Sequence, residues 1–248
     1  MNWILVSGVA MGMLAVLAGC GERSESRHKT MVAKFTKTPI NVDGKLDDAA
    51  WTQAKPYRMY LSADRRAEGQ KLHEPGEVKL AWDDNFLYVG VRFTDSDIVA
   101  EGEEDQLHHY KMGDLVELFL KPKDQTWYWE LYATPKGKKT SFWFPGRGRL
   151  GLESCYKYEC GLKVAAQCYG TLNNWEDKDT EWTAEMAMPL ADLTARGEKF
   201  GPDSKWLILV ARYNYSRYLP CVENSATSPL SKTNFHLYEE YANLKLEK

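Results

Sequence analysis

Apolar and polar residues alternate with a period of two along much of the chain, and this pattern constrains the fold more than any other feature of the sequence. In the run FLYVGVRF at residues 86–93, the apolar Leu87 and Val89 fall on one side of an extended segment, whereas Tyr88 and Arg92 fall on the other. One apolar face and one polar face are typical of a half-buried β-strand. This segment is therefore predicted to be a strand of a sheet that covers a core.

The same alternation recurs in nine further segments that are separated by turn-forming residues. They are residues 33–35, 78–82, 115–120, 127–134, 140–144, 162–169, 181–188, 206–215 and 242–246. Helical patterns are confined to two short stretches, residues 46–54 and 190–195, which leaves no room for the crossover helices of a parallel α/β fold. About ten strands joined by turn-rich loops predict an all-β protein, an antiparallel jelly-roll-like β-sandwich with one or two short helices.

The first residues form an uncharged apolar run, residues 4–17, which ends in Leu-Ala-Gly before Cys20. Small residues before a cysteine are typical of a cleavage site, so residues 1–19 are predicted to be a signal peptide. The segment resembles the start of bacterial lipoprotein precursors, which implies a lipid on Cys20 and a location in the bacterial cell envelope. Gly21 in place of Asp implies the outer membrane, at its periplasmic face or at the cell surface. A plain membrane anchor or a buried helix is the alternative.

The remaining chain is divided into a polar tether, residues 20–31 with the lipidated N-terminus, and one folded domain, residues 32–248. Its formal net charge of -3 argues against a nucleic-acid partner. Once Cys20 carries lipid, four cysteines remain, and an even number in an oxidising compartment predicts two disulfides with three possible pairings. Free buried thiols are the alternative. These candidates are Cys155, Cys160, Cys168 and Cys221.

Four segments resemble, in the right order, the family 9 carbohydrate-binding modules and their DOMON-related relatives. They are INVDGKLDDAAW at residues 40–51, VKLAWDD at 78–84, GDLVELFL at 113–120 and EWTAEMAMPL at 181–190. The resemblance implies a jelly-roll-like β-sandwich that binds sugars without cleaving them, commonly holds structural calcium and works beside polysaccharide-degrading enzymes. The wider superfamily also contains haem-binding modules, so the fold alone does not determine the ligand.

A sugar-binding site needs an exposed aromatic platform, because sugar rings present flat C–H faces. Trp175 lies in a polar loop without an apolar run to bury it and is the main candidate. Trp143 and Tyr110 lie in loops or at strand ends. Trp129 would serve only if its strand had the reverse register, since Glu130 and the tyrosines on either side of it are expected to face outward.

Hydrogen-bonding partners are expected from strand positions that face away from the core, namely Glu117, Glu130, Arg212 and Asn214. Glu117 and Arg212 are predicted to pair across the face of the sandwich, as a floor for the ligand or as a structural ion pair. Asp95 and Asp97 lie in an Asp-rich turn whose oxygen atoms suit calcium, which the family resemblance favours.

These observations predict a membrane-anchored lipoprotein that binds a plant-type polysaccharide or oligosaccharide and is not an enzyme. The first alternative is an envelope enzyme that uses Glu117 and Glu130, although the sequence contains no catalytic motif. The second is a haem-binding module with Met112 and a histidine, His108, His109 or His236, as ligands. The third is a structural envelope protein.

Overall fold

The computed structural model of the chain describes residues 30–147, 152, 155 and 158–248. The predicted signal peptide, Cys20 and most of the tether lie outside the described residues. The strands are β1 (Thr30–Phe35), β2 (Tyr57–Arg58), β3 (Gly76–Trp82), β4 (Phe86–Thr94), β5 (Leu115–Pro122), β6 (Tyr128–Ala133), β7 (Lys139–Phe144), β8 (Lys163–Tyr169), β9 (Glu181–Pro189), β10 (Trp206–Asn214), β11 (Glu223–Ala226) and β12 (Ala242–Glu247). The helices are α1 (Ala49–Gln53), α2 (Ala63–Ala67), α3 (Leu190–Thr194) and two 3₁₀ turns, His109–Lys111 and Tyr238–Glu240. None of the helices in this described part is long and apolar enough to cross a membrane.

The strands form one sheet in the order β7-β6-β5-β10-β12-β1-β3-β4-β9-β8, with β11 paired to β10 and β2 paired to β3. All strand pairs are antiparallel except those of β1, which runs parallel to β12 and to β3. The sheet folds over so that its two halves enclose a main core, to which Trp129 and Leu118 contribute from one half and Val89 and Trp182 from the other. The predicted all-β sandwich is confirmed.

All ten predicted strands and both predicted short helices are present. The alternation did not reveal β2, β11 or α2, because segments of two, four and five residues are too short to show a period. The first strand begins at Thr30, so the last two residues assigned to the tether lie in the sheet. Met31 is buried in the main core, because its position on β1 shares the core-facing parity of Ala33.

The entry segment, residues 40–54, covers the outer face of the half-sheet that contains β3, β4 and β9. Gly44 has φ +84°, which glycine adopts without strain, and this turn brings the amides of Asp43 and Gly44 to 2.8 Å from Glu185 Oε2. The indole of Trp51 donates to Glu185 Oε1 at 2.7 Å. The buried Glu185 on β9 therefore holds the Asp-Gly-to-Trp motif against the sheet.

No disulfide joins Cys155, Cys160, Cys168 and Cys221 in the described part of the chain. The Sγ atom of Cys160 lies 3.9 Å from Met188 Sδ, and Cys168 on β8 donates to the Pro135 carbonyl at 3.5 Å. Cys221 is exposed in the loop before β11. The described part of the chain therefore does not show the two predicted disulfides, and Cys160 and Cys168 contact different neighbours.

Candidate functional site

A cleft of about 270 Å³ lies on the outer face of the half-sheet formed by β5, β6, β7 and β10. Strand residues of that face form its floor, and His108, Tyr110, Asn224 and the segment 233–236 complete the lining. The floor consists of Glu117, Glu130, Tyr132, Phe142, Phe144 and Tyr213. The site is therefore built on rigid strands and closed by loops, an arrangement common in ligand-binding clefts.

Strand register brings the two floor carboxylates close together. Glu117 on β5 lies opposite Tyr132 on β6, and Glu130 lies opposite Phe119. Each strand alternates, so the neighbours Val116 and Leu118 enter the main core while the carboxylates face the cleft. Glu117 and Glu130 are thus diagonal neighbours on adjacent strands, a spacing that allows their side chains to interact.

Both carboxylates are buried, with 2% of Glu117 and 4% of Glu130 exposed. The Tyr132 hydroxyl donates to Glu130 Oε1. A hydroxyl has one proton to donate, so this bond leaves it none for a second acceptor. Glu130 Oε2 has no hydrogen-bond partner among the described residues, since His236 Nε2 lies 3.8 Å away.

Burial raises the pKa of Glu130 to about 7. Burial and the nearby charge of Glu130 raise the pKa of Glu117 well above its usual range. Burial, together with the charge of Arg147, lowers the pKa of His236 to about 4, so its imidazole is neutral at neutral pH. None of the cleft-lining residues that the structure describes is a lysine or arginine. Glu117 and Glu130 therefore stay protonated to higher pH than a glutamate in water, and the described lining places no lysine or arginine beside them.

Aromatic rings surround the carboxylates. Tyr110 and Tyr213 have ring centroids 6.1 Å apart, and His108 stacks on Phe142 at 5.8 Å. His236, also part of the lining, shares a hydrogen bond between its Nδ1 and the Tyr128 hydroxyl at 2.9 Å. The cleft therefore combines flat apolar surfaces with buried acceptors, which is the chemistry that sugar recognition requires.

Three of the predicted site residues, Tyr110, Glu117 and Glu130, line this cleft. Trp129 does not, because the register of β6 places it in the main core with 0% exposure, against the ring of Tyr158 at 5.2 Å. Trp143 also packs against the main core, with the Arg196 guanidinium 4.2 Å from its ring centroid. The predicted platform roles of both tryptophans are therefore wrong for this cleft.

Arg212 and Asn214 lie on the other face of β10, because the register aligns Arg212 with Val116 and not with Glu117. The Arg212 guanidinium donates to Asp95 Oδ2 at 2.9 Å and to the Glu74 carbonyl at 3.1 Å. Asn214 Nδ2 donates to Glu74 Oε2 at 2.6 Å. The predicted pair between Glu117 and Arg212 is therefore wrong, and Arg212 belongs to a buried structural network.

The two aspartates named for calcium are engaged by other groups. Asp95 is buried and paired with Arg212, while Asp97 Oδ2 accepts the Arg217 amide at 2.8 Å. Burial raises the pKa of Asp95 to about 6 despite the nearby Arg212 charge. No group of three or more His, Cys, Asp or Glu residues in the described part of the chain is placed to hold a metal ion. Asp95 and Asp97 therefore do not fit a calcium site.

Trp175 is 78% exposed in the loop between β8 and β9 and does not line the cleft. Its role as a sugar platform stays a prediction for a surface outside the cleft. His109, named for the haem alternative, is buried. Sequence reasoning did not assign Tyr213, Phe142 or the segment 233–236 to the site. The strand pattern could not assign Tyr213, because its position beside Glu117 depends on the register of β10 against β5, and nothing in the sequence pattern indicates that segment 233–236 folds over the floor.

Comparisons with known proteins agree with this architecture. The family model described as "Carbohydrate family 9 binding domain-like" matches residues 42–204, a stretch that contains both cleft carboxylates. A protein from Bacteroides uniformis to which carbohydrate binding has been ascribed has a similar structure, with a TM-score of 0.65, 12% identity, and coverage of 88% of this chain and 99% of that chain. No curated protein sequence matches the chain.

Two further similar structures are of a family 9 carbohydrate binding module from Caldicellulosiruptor kristjanssonii. The complex with cellotriose has a TM-score of 0.56 and 14% identity, and covers 88% of this chain and 94% of that chain. The complex with glucose has a TM-score of 0.58 and 14% identity, and covers 88% and 96% respectively. At these identities the likeness shows a shared fold.

Proposed function

The chain belongs to the carbohydrate family 9 binding domain-like family, and from this premise we propose that its outer-face cleft binds a carbohydrate without cleaving it. The observation that carries the proposal is Glu130 Oε2, a buried acceptor that none of the described residues donates to, in a cleft walled by aromatic rings. A buried acceptor without a partner costs free energy, and a sugar hydroxyl would satisfy it. The complexes of the similar module with cellotriose and glucose support oligosaccharides as the ligand class.

Calorimetry of the full chain in a polyoxyethylene detergent, which has no sugar headgroup, tests this proposal. The ligands are cello-, xylo- and manno-oligosaccharides, a panel that also tests the expectation of a plant-type glycan. We expect binding of at least one series. Failure to bind any oligosaccharide of a broad glycan array would overturn the proposal and favour the structural envelope protein.

A matched pair of tyrosine variants tests whether the carbohydrate binds in the cleft. Tyr110→Ala removes a ring from the cleft lining, and we expect it to weaken binding about fivefold to tenfold, as for the loss of one aromatic contact. Tyr169→Ala removes an exposed ring on β8, outside the cleft, and is expected to leave the affinity unchanged. Equal effects of the two changes would contradict the assignment of the site.

The family supports a binding domain rather than an enzyme. Incubation of the protein with each bound oligosaccharide, followed by measurement of new reducing ends, is expected to show no turnover. Hydrolysis that disappears in Glu130→Gln would instead assign the carboxylate pair a catalytic role.

We further propose that a lipid on Cys20 anchors the domain in the bacterial outer membrane, beside polysaccharide-degrading enzymes whose products it binds. The support is the apolar run followed by Leu-Ala-Gly-Cys at residues 17–20. Cys20→Ser is expected to move the protein from the membrane fraction to the soluble fraction. Retention of the variant in the membrane fraction would favour a plain membrane anchor.

A further inference from the structure

The cleft carries two buried carboxylates, and none of its lining residues within the described part of the chain is a lysine or arginine. The Tyr132 hydroxyl donates to Glu130 Oε1, and Glu130 Oε2 has no hydrogen-bond partner among the residues that the structure describes. Two buried carboxylates elsewhere in the fold do have charge or hydrogen-bond partners. Buried Asp95 is paired with an arginine, and buried Glu185 accepts three hydrogen bonds through its two oxygen atoms.

Resting on the proposed function, we propose that the cleft selects sugars that bear a free amino group, with the ammonium bound between Glu117 and Glu130. A neutral hydroxyl donates one hydrogen bond to one carboxylate. An ammonium has three donors and a positive charge, so it can serve both carboxylates while it offsets their repulsion. The ligand class is therefore a hexosamine whose nitrogen is not acetylated, as a monosaccharide or at the end of a chain.

The walls of the cleft favour the same cation. Tyr110, Tyr213 and Phe142 present aromatic rings beside the carboxylates, and ring faces attract ammonium groups more strongly where water is excluded. The histidines of the lining do not compete, because burial lowers the pKa of both His108 and His236. A metal ion is a poorer fit, since the described residues contain no group of three or more suitable ligands.

The burial of Glu117 and Glu130 also favours a cationic ligand. Burial raises the pKa of both glutamates without an opposing effect from a described cation, whereas at Asp95 the raising effect of burial on the pKa is opposed by the Arg212 charge. Buried acidic pairs of this kind are costly to the fold. A cationic ligand supplies the compensation that the chain itself provides for Asp95 through Arg212.

Calorimetry of the full chain with three disaccharides of the same glucose-type ring tests the proposal directly. They are cellobiose, the β-1,4-linked dimer of glucosamine and its N-acetylated form, which differ only at the second carbon of each ring. We expect the amino dimer to bind about tenfold more tightly than either of the others, the scale of one charge-assisted interaction. Equal or weaker binding of the amino dimer overturns the inference.

Two variants test whether Glu130 causes the preference for the amino dimer. Glu130→Gln keeps the hydrogen-bond acceptor and removes the charge, so the preference for the amino dimer is expected to shrink to about threefold or less. The control Glu77→Gln changes a half-exposed strand glutamate on β3 and is expected to keep the full preference. A preference that survives in Glu130→Gln contradicts the assigned site, and this comparison is made only after both variants show wild-type circular dichroism.

The two proposals fail in different ways. If cellobiose and the amino dimer bind equally, the cleft binds sugars and only the amine selectivity is lost. If no sugar of any kind binds, the proposed function fails as well. Lysinamide serves as a further ligand with an amine and no sugar ring. If it binds as tightly as the amino dimer, the cleft recognises amines alone, and the assignment to amino sugars is overturned.

Discussion

Replacing Glu130 by glutamine is expected to stabilise the protein above neutral pH, although the change removes a charged side chain from a hydrogen bond. The carboxyl is buried beside Glu117, and burial raises its pKa from 4.5 to about 7. The folded protein therefore keeps a proton that the unfolded chain releases in this interval. Where the folded state binds more protons, the free energy of unfolding falls as pH rises.

The size of the effect follows from the pKa difference between the unfolded and folded states. One pKa unit corresponds to about 1.4 kcal/mol, so a rise from 4.5 to about 7 costs the folded protein roughly 3 kcal/mol once the pH exceeds both values. Below 4.5 the carboxyl is protonated in both states and the cost vanishes. Glutamine is neutral throughout, and its Oε1 can still accept the hydrogen bond that the Tyr132 hydroxyl donates to Glu130.

Urea unfolding of the wild type and Glu130→Gln at about pH 4, 5, 6, 7 and 8 measures this difference. The variant and the wild type are expected to be similar near pH 4, and the variant to be more stable by roughly 3 kcal/mol near pH 8. Glu77→Gln serves as the control, because the Glu77 side chain is half exposed, and its difference from the wild type is expected to stay within about 0.5 kcal/mol at every pH.

A double variant that also replaces Glu117 extends the test to both buried carboxyls. The charge of Glu130 contributes to the raised pKa of Glu117, so Glu130→Gln also relieves Glu117, and the double variant with Glu117→Gln is expected to lose most of the remaining pH dependence that the pair produces. A stability difference between Glu130→Gln and the wild type that is the same at pH 4 and pH 8 would refute the reasoning. It would mean that the Glu130 carboxylate is not penalised by burial.

Three further changes test other parts of the structure. Trp175→Ala is expected to leave soluble-oligosaccharide affinity in calorimetry unchanged, because this side chain lies outside the cleft; a loss of affinity would show that the loop joins the site. Glu185→Ala leaves three donors without their acceptor and is expected to lower the free energy of unfolding in urea by about 3 kcal/mol. The control Glu77→Ala is expected to lower it by less than about 1 kcal/mol, and similar losses in the two variants would contradict the anchoring role of Glu185. Asp95→Asn removes the carboxylate charge 2.9 Å from buried Arg212, while the Glu74 carboxylate stays at 3.9 Å. The change is expected to cost about 2 kcal/mol at neutral pH in the same assay, the scale of one charged hydrogen bond, and a loss below about 0.5 kcal/mol would argue against the ion pair.

The strands could be predicted because alternation is a local property that each segment carries by itself. Val116, Leu118 and their neighbours on β5 already separate into two sets in the sequence, and the structure keeps those sets, with Glu117 on the face opposite the core. The family motifs were also local, since the Asp-Gly turn and Trp51 lie within twelve residues. These features establish the sandwich and place Glu117 and Glu130 away from the main core.

Alternation within one strand cannot say which face of a distant strand shares the same side of the sheet. The error on Arg212 arose in this way, because the register of β10 against β5 aligns Arg212 with Val116. The register depends on contacts between residues about a hundred positions apart in the chain. Disulfides also depend on contacts between distant residues, because an even number of cysteines forms pairs only where the fold brings two thiols together.

The sequence by itself determined an all-β sandwich, the two faces of each long strand and the outward placement of the two glutamates, because side-chain direction in a strand depends only on residue parity. Tertiary structure alone decided that the outward face becomes a cleft. Segment 233–236 and the 3₁₀ turn at residues 109–111 close over it, so Glu117 and Glu130 are buried although they face away from the main core. The loops that produce this burial have no periodic pattern, and they turn two strand glutamates into the buried floor of a cleft.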